Sequence, residues 1–425
     1  MKICVLGLWH LGSVTAACLS KLNHEIVGLD FDKSIIKNLK VNKPPIAEPK
    51  VSNLIKIAQK KGKLKFIDSI KNFPKQVDFL WVTYDTPVNN NDHSNINYVL
   101  DNIKKVIPIL NRKTKIIVSS QMPAGTIREF KSKNKLELDF IVIPENLRLG
   151  NSVKSFFEQE RLVVGIENKR LIKKLKTLLM PICSNLIFMK TESAEMTKHA
   201  INSFLAMSIS YANEIASLCE IVGADYKEVE KGMKSEGRIG YKSYLRAGGP
   251  FAGGTLARDV EFLKLIANKK RNSYNNKLIL SIKKSNQLHK KWIINKLETL
   301  YSTLEDKNIA IWGLSYKEDS DTLRRSIAIE IGNKLIEKRA KLTLFDPLIK
   351  TAPKGWSDKI KVHNDLKKTL KNCEIIVVCT YSRQYENITS KIFTNRKKIT
   401  VLDQNSYLKK ISRSKKLKYF TVGSN

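Results

Sequence analysis

No run of this sequence is apolar for the length of a membrane span, so a helical membrane protein is excluded as a reading. The opening residues Met1-Lys2-Ile3-Cys4-Val5-Leu6-Gly7 enter a strand at once, with no apolar signal region followed by a small-residue cleavage site, and a cytoplasmic protein without membrane partners is expected. Cysteine is sparse: Cys4, Cys18, Cys183, Cys219, Cys373 and Cys379 form no C-x-x-C pair and sit mostly in apolar runs. That pattern reads as buried thiols rather than a disulfide framework. The histidines do not cluster with them, so no metal site is expected. Acidic residues are the minority sign, 40 Asp and Glu against 76 Lys and Arg, for a net charge of +36. A field that positive favours acidic partners, either nucleic acid or anionic cofactors and substrates. The lysines are spread along the whole chain and form no basic tail, helix stripe or known nucleic-acid module. They therefore read as solvated surface, and no nucleic-acid partner is expected. There is also no short-period repeat and no low-complexity linker.

The chain does hold enough apolar residues, 42% of 425, for two to three ordinary domains. Lys2–Leu6, Glu25–Asp30, Phe79–Thr83, Lys115–Ser119 and Phe140–Ile143 read as short apolar strands. Leu11–Leu22 and Ser34–Val41 read as helices among them. Such alternation implies a parallel sheet covered on both faces. From Thr191 to about Gly223 the apolar period becomes helical without interruption, a helix of roughly 45 Å at 1.5 Å per residue. A second helical stretch is predicted from Asp259 into the 290s. Strands resume at Asn308–Gly313, Lys341–Phe345, Glu374–Cys379, Lys398–Leu402 and Tyr419–Val422. The expected architecture is two α/β domains around a helical middle, divided at 1–190, 191–300 and 301–425.

Gly7-Leu8-Trp9-His10-Leu11-Gly12 follows a strand and opens a helix, the context that a dinucleotide fingerprint G-x-G-x-x-G requires. Trp9 stands where the second glycine would. The next strand ends at Asp30, 18 residues after Gly12. A carboxylate there accepts hydrogen bonds from an adenosine ribose and repels a 2′-phosphate, which favours NAD over NADP.

The most specific stretch is Phe251-Ala252-Gly253-Gly254-Thr255-Leu256-Ala257-Arg258-Asp259. Before it come Pro45-Ile46-Ala47-Glu48-Pro49, Thr83-Tyr84-Asp85-Thr86-Pro87, Ser120-Gln121-Met122-Pro123-Ala124-Gly125-Thr126, Pro144-Glu145-Asn146-Leu147-Arg148-Leu149-Gly150 and Glu195-Met196-Thr197-Lys198-His199-Ala200-Ile201-Asn202. After it comes Gly313-Leu314-Ser315-Tyr316-Lys317-Glu318-Asp319-Ser320-Asp321-Thr322-Leu323-Arg324-Arg325-Ser326. In this order, over essentially the whole chain, they resemble the nucleotide-sugar dehydrogenases, the UDP-glucose/GDP-mannose dehydrogenase family. The resemblance implies an N-terminal Rossmann NAD-binding domain, a central long-helix dimerisation domain and a C-terminal Rossmann-like nucleotide-sugar-binding domain. It implies a homodimer acting on a UDP-sugar in preference to a GDP-sugar.

Carried over residue by residue, the resemblance assigns general acid/base work to Glu145. Lys198 and Asn202, one helical turn apart, would bind a developing alkoxide or oxyanion. Asp259 would serve the sugar oxygen or a water. Gly7, Leu11, Gly12, Asp30, Thr86 and Arg324 would contact NAD. Arg148, Arg238, Tyr244, Gly253 and Lys317 would contact the substrate, Arg238 from the partner subunit. Three positions depart from the family pattern. Thr255 replaces the nucleophilic cysteine, Gln121 replaces a threonine that helps hold a water, and Leu149 replaces a glutamate near the sugar. A threonine hydroxyl is far less acidic than a thiol and needs an adjacent base. Three readings follow: a 6-dehydrogenase that reaches the uronate through an aldehyde hydrate, a two-electron dehydrogenase that stops at a carbonyl, or a non-catalytic binding protein. Thr255 is not expected to be an obligatory nucleophile.

Overall fold

The apolar runs that open each α/β segment become the central strands of two sheets. The computed structural model describes residues 1–89, 93–252, 254–268, 277–393 and 398–424. The chain forms two units, Met1–Ile201 with Glu261–Ser273, and Asn202–Val260 with Tyr274–Asn425. In the first, β1 (Lys2–Leu6), β2 (Glu25–Leu29), β3 (Leu64–Ile67), β4 (Phe79–Val82), β5 (Lys115–Val118), β6 (Phe140–Val142), β7 (Leu162–Ile166) and β8 (Leu186–Met189) form one sheet in the order β3-β2-β1-β4-β5-β6-β7-β8. Helices α1 (His10–Lys21), α2 (Lys33–Lys40), α3 (Val51–Lys60), α4 (Ile96–Val106), α5 (Thr126–Lys133), α6 (Ser152–Phe157) and α7 (Ile172–Leu179) connect the strands. Strand β1 shows why the sheet is covered on both faces. Ile3 and Val5 pack into one apolar cluster, Cys4 and Leu6 into another.

The sheet is not wholly parallel, as the sequence had suggested. β7 runs antiparallel to β6, and β8 parallel to β7. The β1–β6 part, which adds β3 to the five expected strands, is parallel throughout and has the doubly wound order, so strand order reverses between β1 and β4. Ligands of such sheets bind beyond the strand carboxyl ends at that reversal. Gly7, Asp30, Thr86 and Gln121 lie in the segments that leave those ends.

Helix α8 (Thr191–Val222) has 32 residues. Ala194, Ala206, Ala212 and Ala216 are fully buried, whereas Phe204, Tyr211, Leu218, Ile221 and Val222 are exposed. Gly223, with φ +75°, ends it in the left-handed conformation that glycine tolerates best. The helices that follow are α9 (Tyr226–Ser235), α10 (Leu256–Asn268), α11 (Lys277–His289), α12 (Trp292–Leu300) and α13 (Ile327–Glu337). Among the described residues the stretch predicted from Asp259 holds α10, α11 and α12, the first starting at Leu256.

The second unit repeats the doubly wound order. Its strands β9 (Asn308–Trp312), β10 (Lys341–Phe345), β11 (Val362–His363), β12 (Ile375–Val378), β13 (Ile399–Asp403) and β14 (Leu417–Phe420) are ordered β11-β10-β9-β12-β13-β14, all parallel. The last strand lies two residues before its predicted start. Asp346 follows β10 as Asp30 follows β2, and it accepts the amides of Leu314 and Ser315 at 2.8 and 3.0 Å. All six cysteines are buried thiols, and burial pushes Cys18, Cys373 and Cys379 up to about 12. Among the described residues no helix is long and apolar enough to cross a membrane.

Candidate active site

In the first unit, Gly7 leaves β1 with φ +90°, and a Cβ there would lie 2.6 Å from the Tyr84 ring. A Cβ on Gly12, in the first turn of α1, would lie 1.8 Å from the Gly7 carbonyl oxygen. Both positions require glycine for space. Trp9 is different: it caps α1 with φ −63°, so its backbone makes no such demand, and its indole is half exposed. Leu11 is buried in the same helix. Asp30 is buried at the end of β2, its Oδ2 accepting the Leu8 amide at 2.6 Å and its Oδ1 the Asp32 amide at 3.0 Å. Burial raises its pKa, and these amides oppose the shift. The residues fit a dinucleotide: a helix N-terminus for an anion, a tight glycine turn from β1 into α1, and a carboxylate at the end of the second strand.

Glu48, quoted above only as part of a motif, proves to be a hub. Its carboxylate meets His10 Nε2 at 2.8 Å and accepts the Gly150 amide at 2.7 Å and the Ser152 amide at 3.3 Å. It thereby ties the start of α1 to the segment that carries Glu145 and Arg148. Glu145 folds back on its own segment, its carboxylate accepting the Leu147 amide. Lys198 Nζ donates to the Glu145 carbonyl oxygen at 2.6 Å and to Asn146 Oδ1 at 3.2 Å. Arg148 is exposed.

The 120–127 segment is held from both sides. Thr86 Oγ1 donates to the Gln121 carbonyl at 2.5 Å, His199 Nε2 lies 3.1 Å from the Met122 carbonyl, and Glu195 Oε2 accepts the Gly125 amide at 2.7 Å. Burial pushes the Glu195 carboxyl up to about 7. The folded state thus prefers the protonated acid. Stability from this group is complete below the ordinary glutamate pKa, about 4.5, and is lost as pH rises through about 7. Glu195→Gln, which keeps an acceptor for Gly125 without the charge, is expected to remove this component of the pH dependence. Urea unfolding at pH 5 and pH 8 measures it, and an unchanged pH dependence would count against the assignment.

In the second unit, Asn202 Nδ2 donates to Asp259 Oδ2 at 2.6 Å, and both side chains are buried. Asp259 lies in the first turn of α10, where its amide donates to the Thr255 carbonyl at 3.2 Å. That bond makes Thr255 the N-cap of α10, a position threonine favours. Thr255 is exposed, and its hydroxyl makes no hydrogen bond among the described residues. The loop leading to it is pinned by side chains distant in sequence. Asn213 Oδ1 accepts the Gly248 amide, Asn405 Oδ1 the Gly249 amide and Asn286 Oδ1 the Phe251 amide, each at 2.9 Å. His289 Nε2 lies 2.7 Å from the Gly248 carbonyl, and burial lowers the pKa of His289, so the neutral ring is the donor. A Cβ on Gly248 would meet Asn405 Oδ1 at 2.5 Å, which accounts for glycine there.

Of the sequence-predicted set, Glu145 and Lys198 come together in the first unit, as do Gly7, Gly12 and Asp30. Asn202, Thr255 and Asp259 come together in the second. Arg238 is exposed and pairs with Glu236 at 3.0 Å, and Tyr244, Lys317 and Arg324 are exposed. Gly253 lies outside the described residues. Sequence reasoning missed Glu48, Glu195, Asn213, Asn286 and His289 as structural partners. The available signal was a polar residue inside an otherwise apolar helix face, as for Asn213 between Ala212 and Ala216.

Comparison with known proteins gives the family. The UDP-glucose/GDP-mannose dehydrogenase family matches through its NAD binding domain over residues 1–183, its central domain over 192–288 and its UDP binding domain over 310–410. The UDP-glucose 6-dehydrogenase of Rickettsia prowazekii is 31% identical, covering 100% of both chains. The UDP-glucose 6-dehydrogenase TuaD of Bacillus subtilis is 29% identical over 89% of this chain and 83% of its own. A UDP-glucose dehydrogenase structure from the archaeon Pyrobaculum islandicum shares the fold, with a TM-score of 0.86 at 24% identity over 100% of this chain and 98% of that one. The chain belongs to the UDP-glucose/GDP-mannose dehydrogenase family and is an NAD-dependent oxidoreductase of nucleotide sugars.

Proposed function

We propose that the protein oxidises the C6 hydroxymethyl group of a UDP-sugar, UDP-glucose in the first instance, to the UDP-uronate, as a cytoplasmic homodimer. The observation that carries this reading is the fixed pair on α8. Lys198 is held by the Glu145 carbonyl, and Asn202, one turn later, by Asp259. Relatives named UDP-glucose 6-dehydrogenase support the choice of sugar. The exposed apolar side chains of α8 support a dimer, and six buried thiols agree with a reducing compartment.

Oxidation of a primary alcohol to an aldehyde removes one hydride and one proton, and bound NAD accepts the hydride. Lys198 places an ammonium, and Asn202 an amide, beside the oxygen where negative charge develops. Glu145 is the acid/base group for the proton. The second oxidation starts from the aldehyde and one water. Their hydrate loses a further hydride and proton to give the acid, with Asp259 or Glu145 as base. Arg148, Arg238, Tyr244, Gly253 and Lys317 bind the sugar nucleotide, and Arg324 reaches the cofactor diphosphate.

Among the described residues no base hydrogen-bonds the exposed Thr255 hydroxyl, and Thr255 takes the N-cap position of α10, so no covalent step passes through it. Thr255→Ala is expected to keep the first oxidation within about tenfold, or ~1.4 kcal/mol of barrier. A trapped sugar ester on Thr255 by mass spectrometry would refute this. The same unassisted hydroxyl favours a second reading, release of the aldehyde after one oxidation. Counting NADH per UDP-glucose consumed decides between them: two supports the uronate and one the aldehyde. Substrate binding without NADH would leave a non-catalytic binding protein.

The cofactor prediction concerns Asp30. The unmodified enzyme is expected to prefer NAD strongly to NADP. Asp30→Ala should weaken NAD roughly tenfold, the scale of a charge-assisted hydrogen bond, and narrow that preference. Equal use of both cofactors by the unmodified protein would remove Asp30 from the ribose site.

A further inference from the structure

The segment after β5 leaves two polar side chains unexplained. Both amide atoms of Gln121 and the Ser120 hydroxyl are buried without a hydrogen-bond partner among the described residues. Gln121 is 8% exposed. A buried, unpaired polar atom costs about 1–3 kcal/mol, so two such atoms on one side chain require a reason. Slack in the backbone is not the reason, because Thr86, His199 and Glu195 clamp residues 121, 122 and 125. Gln121, Ser120, Lys198 and Pro144 line a cavity of about 20 Å³, close to the space of one water. It lies beyond the carboxyl ends of β5 and β6, on the edge of the sheet where a dinucleotide binds.

A second primary amide is matched to a glutamine side chain, because each group then gives one N–H and accepts one. We propose that Gln121 reads the carboxamide of the bound nicotinamide, its Nε2 donating to the carboxamide oxygen and its Oε1 accepting the carboxamide N–H. Ser120 supplies a further hydroxyl at the same place. This assignment rests on the NAD-binding reading and adds to it a residue that selects the amide form of the cofactor. The bound ring is thereby fixed in rotation beside Lys198.

The test uses binding and melting, not turnover. Isothermal titration of the unmodified protein with NAD, with nicotinic acid adenine dinucleotide and with ADP-ribose should give NAD at least about tenfold tighter than its acid analogue. Gln121→Leu should lose that preference, weaken NAD to a similar degree and leave ADP-ribose unchanged. Removal of the buried amide should also raise the melting temperature of the cofactor-free protein, by about 2–4 °C per kcal/mol recovered. Equal affinity of the unmodified protein for NAD and its acid analogue overturns the proposal without any variant. So does a Gln121→Leu protein that melts lower and still prefers NAD, which is the result expected if Gln121 only packs. Absence of ADP-ribose binding to the unmodified protein would overturn the NAD-binding reading itself, a separate outcome.

Discussion

Lys198→Ala is expected to lower turnover by roughly 10²–10³, the scale of one lost oxyanion donor, with little change in substrate affinity. The structure gives the reason. The ammonium carries three N–H groups, and two are directed at neutral acceptors, the Glu145 carbonyl at 2.6 Å and Asn146 Oδ1 at 3.2 Å. Neither partner neutralises the charge, and the third N–H is left for the substrate oxygen. Charge held this way is worth most when the oxygen becomes an alkoxide and little while it remains an alcohol, so the loss should appear in kcat rather than KM. Lys198→Arg should not rescue the rate, because a planar guanidinium fork cannot reproduce one ammonium direction. NAD binding by the alanine variant, measured separately, should match the unmodified protein and exclude a folding defect. Near-normal kcat in Lys198→Ala would remove this residue from the mechanism.

Much of this molecule was legible in its sequence because its strongest signals are local. β1, β4 and β5 are continuous apolar runs bounded by turn residues, and a strand buried on both faces can hardly look otherwise. Helix α8 is uninterrupted by glycine or proline from Thr191 to Val222, and its predicted end at Gly223 is the observed one. β3, β7, β8 and β11 escaped because a short apolar run alone does not tell a strand from a helix segment, and the β6–β7 connection gives an antiparallel strand where alternation alone implied a parallel one. α10 was predicted to begin at Asp259, and in the fold it begins at Leu256, with Thr255 at the N-cap position.

The site divides along the same line. Glu145, Lys198, Asn202 and Asp259 were named from motifs, and the structure pairs Lys198 with the Glu145 backbone and Asn202 with Asp259. The groups that fix the loop before Thr255 could not be named. Asn213, Asn286 and Asn405 each give one amide oxygen to a loop N–H, across sequence separations of 35, 35 and 156 residues. No spacing rule marks an asparagine whose partner is a distant backbone group. Glu195 was visible as the first residue of its motif, but its work, holding the amide of Gly125, is a contact between α8 and the N-terminal end of α5 that only the tertiary structure supplies.

Gly12→Ala should be the most damaging single methyl that can be added to the first unit. Alanine is ordinarily the better helix residue, by about 0.8–1.0 kcal/mol over glycine, so helix propensity alone predicts a gain. Space predicts the reverse. The new Cβ would stand 1.8 Å from the Gly7 carbonyl oxygen and 2.7 Å from Thr83 Oγ1. That carbonyl cannot swing away, because Gly7 already occupies φ +90° and its amide donates to the Leu29 carbonyl at 2.9 Å. Thr83 Oγ1 in turn donates to the Gly7 carbonyl at 2.7 Å, locking it from the other side. Relief therefore requires α1 to move off β1, and with it the ten residues of α1, from Leu11 to Ser20, that are buried. The expected loss exceeds about 4 kcal/mol, a range reached only when backbone or core geometry is broken. Urea denaturation and NAD titration of the same preparation check it. A Gly12→Ala protein that unfolds at the original midpoint and binds NAD normally would mean that the turn from β1 into α1 is not the close backbone contact described.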